Sequence, residues 1–196
     1  MREIVSGVQT WSIPMPEKGY DFNGYAVVTE EGTVVIDPPE PVDDGWGAID
    51  LLGPFAGVWI TNRNHSRAAA DFRERYGVTV FAHEADAERL EAGADETVRG
   101  DEKLPGDIQL VHVPGKSPGE IAFHLPRSRA VIVGDVVIGV PPGELSTYPD
   151  KVIDDVEQLR RSAARLLEYD FEALLLCDGA SLPAGGKQKL REFVER

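Results

Sequence analysis

Short apolar runs separated by glycine and proline occur in both halves of the chain, and helical patterns follow them in each half. Residues 23–39, NGYAVVTEEGTVVIDPP, predict two strands joined by an EEG turn, which is a hairpin. Residues 57–61 and 78–82 are predicted strands, each followed by a helix, the second from about 84 to 92. Strands that come early in each half, followed by helices, predict two sheets packed face to face with helices outside.

The second half predicts three more strands, in IQLVHVPG, GEIAFHLP and RAVIVGDVVIG. A long helix from about 151 to 168, a strand in ALLLCDG and a terminal helix in GGKQKLREFVER follow. The sequence has no Ser/Gly-rich linker and no short-period repeat. With 196 residues, 42% of them hydrophobic, we expect a single domain over residues 1–196.

The chain is acidic, with 34 Asp and Glu residues against 20 Lys and Arg residues and a net charge of −14. Such a charge repels nucleic-acid phosphates and anionic lipid headgroups, so we expect no nucleic acid and no membrane among its partners. No stretch approaches the roughly 20 apolar residues of a membrane span, and the first residues lack a signal-type apolar segment. These features predict a cytoplasmic protein. Cys177 is the only cysteine, which excludes an intrachain disulfide and a cysteine-rich zinc site, and we expect it to be buried.

Five motifs follow one another along the chain: GTVVIDPP, TNRNHSR, HVPGKSPGEIAF, VIVGDVVIG and LLLCDGAS. In this order they resemble the metallo-β-lactamase superfamily, whose members carry T-H-x-H-x-D-H at the second motif, P-G-H-T at the third, G-D at the fourth and G-H-G at the fifth. The sequence is also similar to bacterial metal-dependent hydrolases that read TNxxHxR and GKTPGE at these points. The resemblance implies an α/β fold, a four-layer αββα sandwich, with the site at one edge between the sheets.

The resemblance also implies where metal ligands would stand. Seven positions correspond to ligands, and they hold Asn62, Asn64, Ser66, Arg67, Lys116, Asp135 and Asp178. Only Asp135 keeps the residue of the family, a carboxylate that bridges two metals. Zinc binds thiolate, imidazole and carboxylate, whereas a carboxamide or hydroxyl is a weak neutral donor. The ammonium of Lys116 has no acceptor and the guanidinium of Arg67 stays charged, so both repel a dication.

We therefore expect Lys116 and Arg67 to neutralise Asp135 and Asp178, as the metals do in the relatives, and we predict no metal and no cofactor. Hydroxide attack of the zinc type is not expected, because an ammonium does not acidify water as a bound dication does.

His65 has three interpretations. It is a spacer in the family motif, which favours a histidine that packs the loop. It is also a candidate general base, oriented by Asp135 or Asp178, with Lys116 stabilising an oxyanion. A third possibility is that His65, Asp135 and Asp178 bind a single metal ion.

The remaining polar candidates have structural interpretations. His112 is expected to support the loop of the third motif, His83 to start a helix, and His124 to lie on a strand face opposite its apolar neighbours. Asp37 either supports the site loops or starts a turn, and Glu120 either belongs to the site or starts a strand. Asp178 likewise either belongs to the site or caps a turn.

Two further patterns carry little functional weight. PGKSPGE lacks the spacing of a GxxxxGK[ST] loop and precedes a strand, so we expect no nucleotide site. Trp46, Phe55 and Trp59 either line the pocket mouth or pack in the core, and we expect the core.

The sequence thus predicts a relative of the hydrolases that has lost its two-zinc site and keeps a polar pocket for a small polar or anionic molecule. The predicted catalytic residues are His65, Lys116, Asp135 and Asp178, and the predicted ligand contacts are Asn62, Asn64 and Arg67. Two alternatives remain: a weak hydrolase with one metal ion, and an interaction protein with a vestigial pocket, which could form a homodimer.

Overall fold

Two β-sheets form the centre of the computed structural model, which describes residues 1–43 and 45–196. Within the described residues the first sheet has seven strands in the spatial order β1 to β7: β1 Arg2–Val5, β2 Val8–Met15, β3 Tyr20–Val27, β4 Thr33–Ile36, β5 Phe55–Trp59, β6 Val80–His83 and β7 Glu96–Val98. The second sheet has the order β12-β11-β10-β9-β8: β8 Lys103–Leu104, β9 Ile108–His112, β10 Ile121–Leu125, β11 Ala130–Val133 and β12 Ala173–Leu176.

Five α-helices lie within the same residues: α1 Gly45–Asp50, α2 Ala69–Tyr76, α3 Glu84–Ala87, α4 Val156–Leu166 and α5 Gly186–Val194. Strands β1 to β4 are antiparallel to their neighbours, and β4 to β7 are parallel. In the second sheet only β11 and β12 are parallel. No helix of the described residues is long and apolar enough to cross a bilayer.

Three apolar clusters separate four layers. Ile36 of the first sheet and Phe123 of the second share the cluster between the sheets. Phe72 of α2 packs on the outer face of the first sheet, and Leu159 of α4 and Leu190 of α5 pack on the outer face of the second. The predicted four-layer αββα sandwich is therefore confirmed.

Side-chain alternation explains how one strand serves two layers. On β10, Phe123 joins the cluster between the sheets, whereas Ala122 joins the outer cluster. His124 faces outward as expected and lies 3.0 Å from the Asp170 carbonyl oxygen through its Nε2. The aromatic residues pack as expected. Trp59 stacks on Phe81 with ring centroids 4.5 Å apart, and the partly buried Trp46 and Phe55 pack against Phe72.

Several element boundaries differ from the predictions. The helix expected from about 84 to 92 ends at Ala87, and the chain continues in tight turns. The helix expected from about 151 to 168 begins only at Val156, because the Asp155 carboxylate caps it by accepting the Gln158 N–H at 2.8 Å. The preceding residues form a 3₁₀ turn, Asp150–Val152.

Candidate functional site

The candidate site lies where parallel strands of both sheets end at a common edge. In the second sheet Val133 pairs with Leu176, so Asp135 and Asp178, each two residues further on, reach the same edge. In the first sheet Asp37 directly follows β4, and the loop from 61 to 67 follows β5. Carboxyl ends of parallel strands are a frequent place for binding residues on loops.

An open cleft of about 590 Å³ lies over this edge. Five predicted site residues line it, namely Asn64, His65, Lys116, Asp135 and Asp178. The other lining residues are Lys18, Phe22, Arg63, Tyr148, Pro149, Lys151, Val152 and Asp154.

His65 lies at the centre of a chain of alternating charges. Its Nδ1 lies 2.6 Å from Asp37 Oδ2, and its Nε2 lies 3.0 Å from Asp135 Oδ1. The second oxygen of Asp135 is 3.0 Å from Lys116 Nζ. Thr61 completes the surroundings of Asp37 by donating its backbone N–H at 2.8 Å and its hydroxyl at 2.5 Å. Asp37 therefore supports the site, which decides between its two sequence interpretations.

The two carboxylates determine the charge of His65. Burial and the nearby Arg67 charge lower the pKa of His65, but the charges of Asp135 and Asp37 outweigh them and raise it from 6.5 to about 10. Burial raises the pKa of Asp135, yet the cations of His65 and Lys116 bring it below its ordinary value. His65 is thus an imidazolium at neutral pH. The suggested role of His65 as a general base does not fit, because both ring nitrogens already face carboxylates.

Arg67 organises a second group of contacts. Its guanidinium donates to Asp178 Oδ1 at 2.5 Å and to the Asn23 carbonyl at 2.9 Å, and it lies 4.3 Å from the centre of the Phe22 ring. The Tyr148 hydroxyl donates to the other oxygen of Asp178. The two expected pairs, Lys116 with Asp135 and Arg67 with Asp178, are both present.

Two tyrosines were not predicted as site residues. The hydroxyl of Tyr20 lies 2.6 Å from that of Tyr148, so the two hydroxyls and Asp178 form a continuous chain. Burial and the charges of Asp135 and Asp178 raise the pKa of Tyr148, which keeps its hydroxyl protonated. No motif spacing marks these tyrosines, because they come from the start of β3 and from a loop in the second half of the chain, which meet only in the folded chain.

The three asparagine and serine positions behave differently from one another. Asn62 is buried, and its Oδ1 accepts the backbone N–H of Asn64 at 2.9 Å. That turn directs His65 inward and leaves Asn64 exposed at the rim of the cleft. Ser66 points away and accepts the Ala92 N–H at 3.2 Å. Of the three predicted ligand contacts, Asn64 lines the cleft, whereas Asn62 and Arg67 lie behind its surface.

Buried acids hold the loops that carry the site. Glu120 is fully buried, and its Oε1 accepts the backbone N–H groups of Asp135 and Val136 at 2.5 and 2.8 Å. Burial and the charge of Asp135 raise the pKa of Glu120 well above its ordinary value. Asp86 accepts the Gly119 N–H at 3.0 Å and the Ser117 hydroxyl at 2.5 Å, which fixes the loop of Lys116.

The other two histidines have the structural roles expected of them. His83 caps α3 by accepting the Ala85 N–H at 3.1 Å. His112 stacks on His83 with ring centroids 4.3 Å apart, and its Nε2 lies 2.8 Å from the Pro118 carbonyl oxygen. His112 therefore supports the same loop without lining the cleft. Cys177 is buried, as expected.

Comparison with known proteins agrees with this architecture. The family model of the metallo-beta-lactamase superfamily matches residues 5–196. The chain belongs to this superfamily. Structural neighbours within it include the metallo-beta-lactamase from Pontibacter korlensis, with a TM-score of 0.78, 19% identity and coverage of 99% of this chain and 96% of that chain. A metallo-beta-lactamase family protein from Thermus thermophilus has a TM-score of 0.73 at 17% identity, with coverage of 98% of this chain and 80% of that chain. At these identities the neighbours show the fold.

Curated relatives in the superfamily have the name hydroxyacylglutathione hydrolase. The protein of Ruegeria pomeroyi is 33% identical over 139 residues, which cover 65% of this chain and 52% of the relative. The protein of Mesorhizobium japonicum is 28% identical over 142 residues, which cover 67% of this chain and 52% of the relative. The chain therefore spans about half the length of these relatives and is similar in sequence to that part of them.

Proposed function

We propose that this superfamily member binds a small polar or anionic molecule in its cleft and works without a resident metal ion. The observation that carries the proposal is the paired state of the central charges. Asp135 lies 3.0 Å from both His65 and Lys116, and Asp178 lies 2.5 Å from Arg67. Three side-chain cations thus neutralise the carboxylates that two dications would otherwise neutralise.

The donor set does not fit a two-metal centre. Asn62 uses its amide oxygen inside the loop, and Ser66 faces Ala92 on the far side. The ammonium of Lys116 and the guanidinium of Arg67 already contact the carboxylate oxygens of Asp135 and Asp178. Each of these cations repels a dication 4 Å away by about 4 kcal/mol for each unit of the dication's charge, at an effective dielectric constant of 20. Replacing a buried ion pair with a metal would also leave these cations uncompensated, which is costly.

The same geometry favours binding over hydrolysis. A hydrolase needs a base that is free at neutral pH, and both nitrogens of His65 face carboxylates. The cleft is nevertheless open at about 590 Å³, which favours a ligand over the vestigial pocket of a pure interaction protein.

Elemental analysis tests the proposal. Protein expressed in medium containing zinc, iron and manganese, and purified without chelators, should contain less than about 0.1 metal ion per chain by inductively coupled plasma mass spectrometry. A matched superfamily hydrolase, purified in parallel, controls for loss of metal during purification. One or two ions per chain, lost together with thioesterase or lactonase activity on chelation and restored with it, would overturn the proposal.

One observation favours a second candidate, a hydrolase with a single metal ion. His65, Asp135 and Asp178 each offer a ligand atom within 4.8 Å of the others. Binding requires Lys116 to move away from Asp135, so the Lys116→Ala variant should take up more metal than the wild type if this candidate is right. Equal and low metal contents in both proteins favour the metal-free function.

A further inference from the structure

Every carboxylate that lines the cleft already has a cationic partner. Asp135 contacts Lys116 and His65, Asp178 contacts Arg67, and Asp154 Oδ1 lies 2.8 Å from the Arg63 guanidinium. The negative charge of the carboxylates that line the cleft is therefore neutralised by ion pairs within the protein.

Two of the lysines that line the cleft are not neutralised by an ion pair of this kind. Lys18 and Lys151 line it, and neither has a carboxylate within 4.0 Å in the described part of the chain. Lys18 Nζ lies instead 4.8 Å from the centre of the Phe22 ring. A chain with a net charge of −14 thus has a cleft with unpaired positive charge. Such a local field raises the concentration of anions at the site.

Lys116 adds a buried donor group on the floor of the cleft. The residue is only 7% exposed, and Asp135 Oδ2 is the single carboxylate oxygen within 4.0 Å of its Nζ among the described residues. An ammonium has three N–H donors, so further donors are available to a molecule in the cleft. Because the Lys116 ammonium is shielded from water, its electrostatic attraction for an anion is stronger than that of a surface lysine.

The type of cation indicates the type of anion. Arg63 contacts Asp154 through Nη2 while its Nη1 is buried, and Arg67 contacts Asp178 behind the cleft surface. Neither of these two guanidinium groups therefore presents a free planar fork to the cleft that could bind a carboxylate in a bidentate manner. The available groups are ammonium point charges, which are common phosphate binders. A phosphate monoester carries a charge of about −1.5 to −2 at neutral pH and matches this surplus better than a monocarboxylate does.

We propose that the ligand of this cleft is a small phosphate monoester, with its phosphate on Lys116 between Lys18 and Lys151 and its organic part against Phe22 and Val152. The proposal rests on the proposed function, because it requires the metal-free cleft to bind an anion. The two half-buried or exposed apolar side chains line the same cleft and give the organic part a surface to cover.

The ligand class is tested by isothermal titration calorimetry with three compounds that share a phenyl ring and differ in the attached group. Phenyl phosphate should bind at least about ten-fold more tightly than phenylacetate, and phenol should show no binding. Affinity for phenyl phosphate should fall as salt rises, because exposed charges are screened. The full-length chain is used throughout, at pH 7.5.

Variants assign the binding to the cleft. Lys18→Ala and Lys151→Ala should each weaken phenyl phosphate binding by about three-fold, the effect of one exposed charge. Lys116→Met should weaken it at least about ten-fold, since a buried charged donor is lost. Lys103→Ala is the matched control, because Lys103 is exposed on β8 and does not line the cleft, and it should bind as the wild type does.

The possible failures are distinct. If phenylacetate binds as tightly as phenyl phosphate, the phosphate assignment is wrong and the anion-binding function stands. If the Lys18 and Lys151 variants bind like the control, the anion does not lie between these lysines and its assignment to this position is wrong. If neither anion binds at millimolar concentration, the phosphate assignment and the proposed function both fail. Lys18 and Lys151 are exposed, so these arms remain informative even if the Lys116 variant does not fold.

Discussion

Replacing Arg67 with methionine tests whether side-chain cations have taken over the role of metals in holding the site together. Arg67 donates to Asp178 and to the carbonyl of Asn23, so it connects the end of the second sheet to β3 of the first. The side chains of Arg67 and Asp178 are only 8% and 2% exposed. Methionine fills a similar volume and keeps a Cβ at a backbone φ of 38°, so it does not change the cost of that conformation.

The expected loss of stability follows from the charge that remains. In Arg67→Met, Asp178 keeps only the Tyr148 hydroxyl as a side-chain partner among the described residues, and a buried carboxylate without its cation costs about 3–5 kcal/mol. For a chain of this size, that corresponds to a decrease in Tm of about 6–20 °C. Thermal and urea denaturation followed by circular dichroism at pH 7 measure the change.

Arg75→Met is the matched control. Arg75 pairs with Asp50 at 2.8 Å, but the two side chains are 45% and 42% exposed, so this substitution should cost at most about 1 kcal/mol. The double variant Arg67→Met with Asp178→Asn should recover at least about 1 kcal/mol of the loss, because the uncompensated charge is gone. If Arg67→Met is no more destabilising than Arg75→Met, the ion pair does not hold the site and the reasoning is refuted.

Three other substitutions test individual parts of the site. The pKa of His65 is raised from 6.5 to about 10, so its contribution to stability is complete below pH 6.5 and is lost as pH rises through about 10. The free energies of unfolding of the wild type and of His65→Gln, measured by denaturation, should therefore converge between pH 7 and 10. A constant difference over this range would contradict the raised pKa. Burial, followed by the charge of Asp135, raises the pKa of Glu120 well above its ordinary value, which favours the neutral acid. Glu120→Gln should therefore be as stable as the wild type at pH 7 or more stable, and a loss above about 1 kcal/mol by urea denaturation would contradict the raised pKa. Gly115 has a φ of 145°, and a Cβ added there would lie 2.4 Å from the Leu159 backbone. Gly115→Ala should therefore lower the free energy of unfolding by more than about 2 kcal/mol. A variant as stable as the wild type would show that the loop can shift.

The charge relations of the site could be predicted from the sequence, and its geometry could not. The resemblance to the family motifs matches Lys116 and Arg67 to histidine positions, and residue type alone predicts that they pair with the carboxylates of Asp135 and Asp178. The charge of an arginine or a lysine at neutral pH follows from residue type, and the succession of strands along the chain follows from local patterns of apolar residues and turns. Both are therefore present in the sequence before the chain folds.

The direction of each loop side chain was decided only by the tertiary structure. His65 follows a turn closed by its own N–H on the Asn62 carbonyl at 3.0 Å, and that turn aims its ring at Asp37, which lies 28 residues away. Tyr148 reaches Asp178 from a loop 30 residues earlier in the chain. Loops have no side-chain period, so neither contact follows from spacing along the chain.

The sequence by itself thus determined the layers of the sandwich and the charges gathered at its edge. Only the folded chain places both ring nitrogens of His65 against carboxylates, which raises the pKa of the imidazole. The physical reason is that a pKa depends on the distance between charged groups, and those distances exist only once the two sheets have packed together.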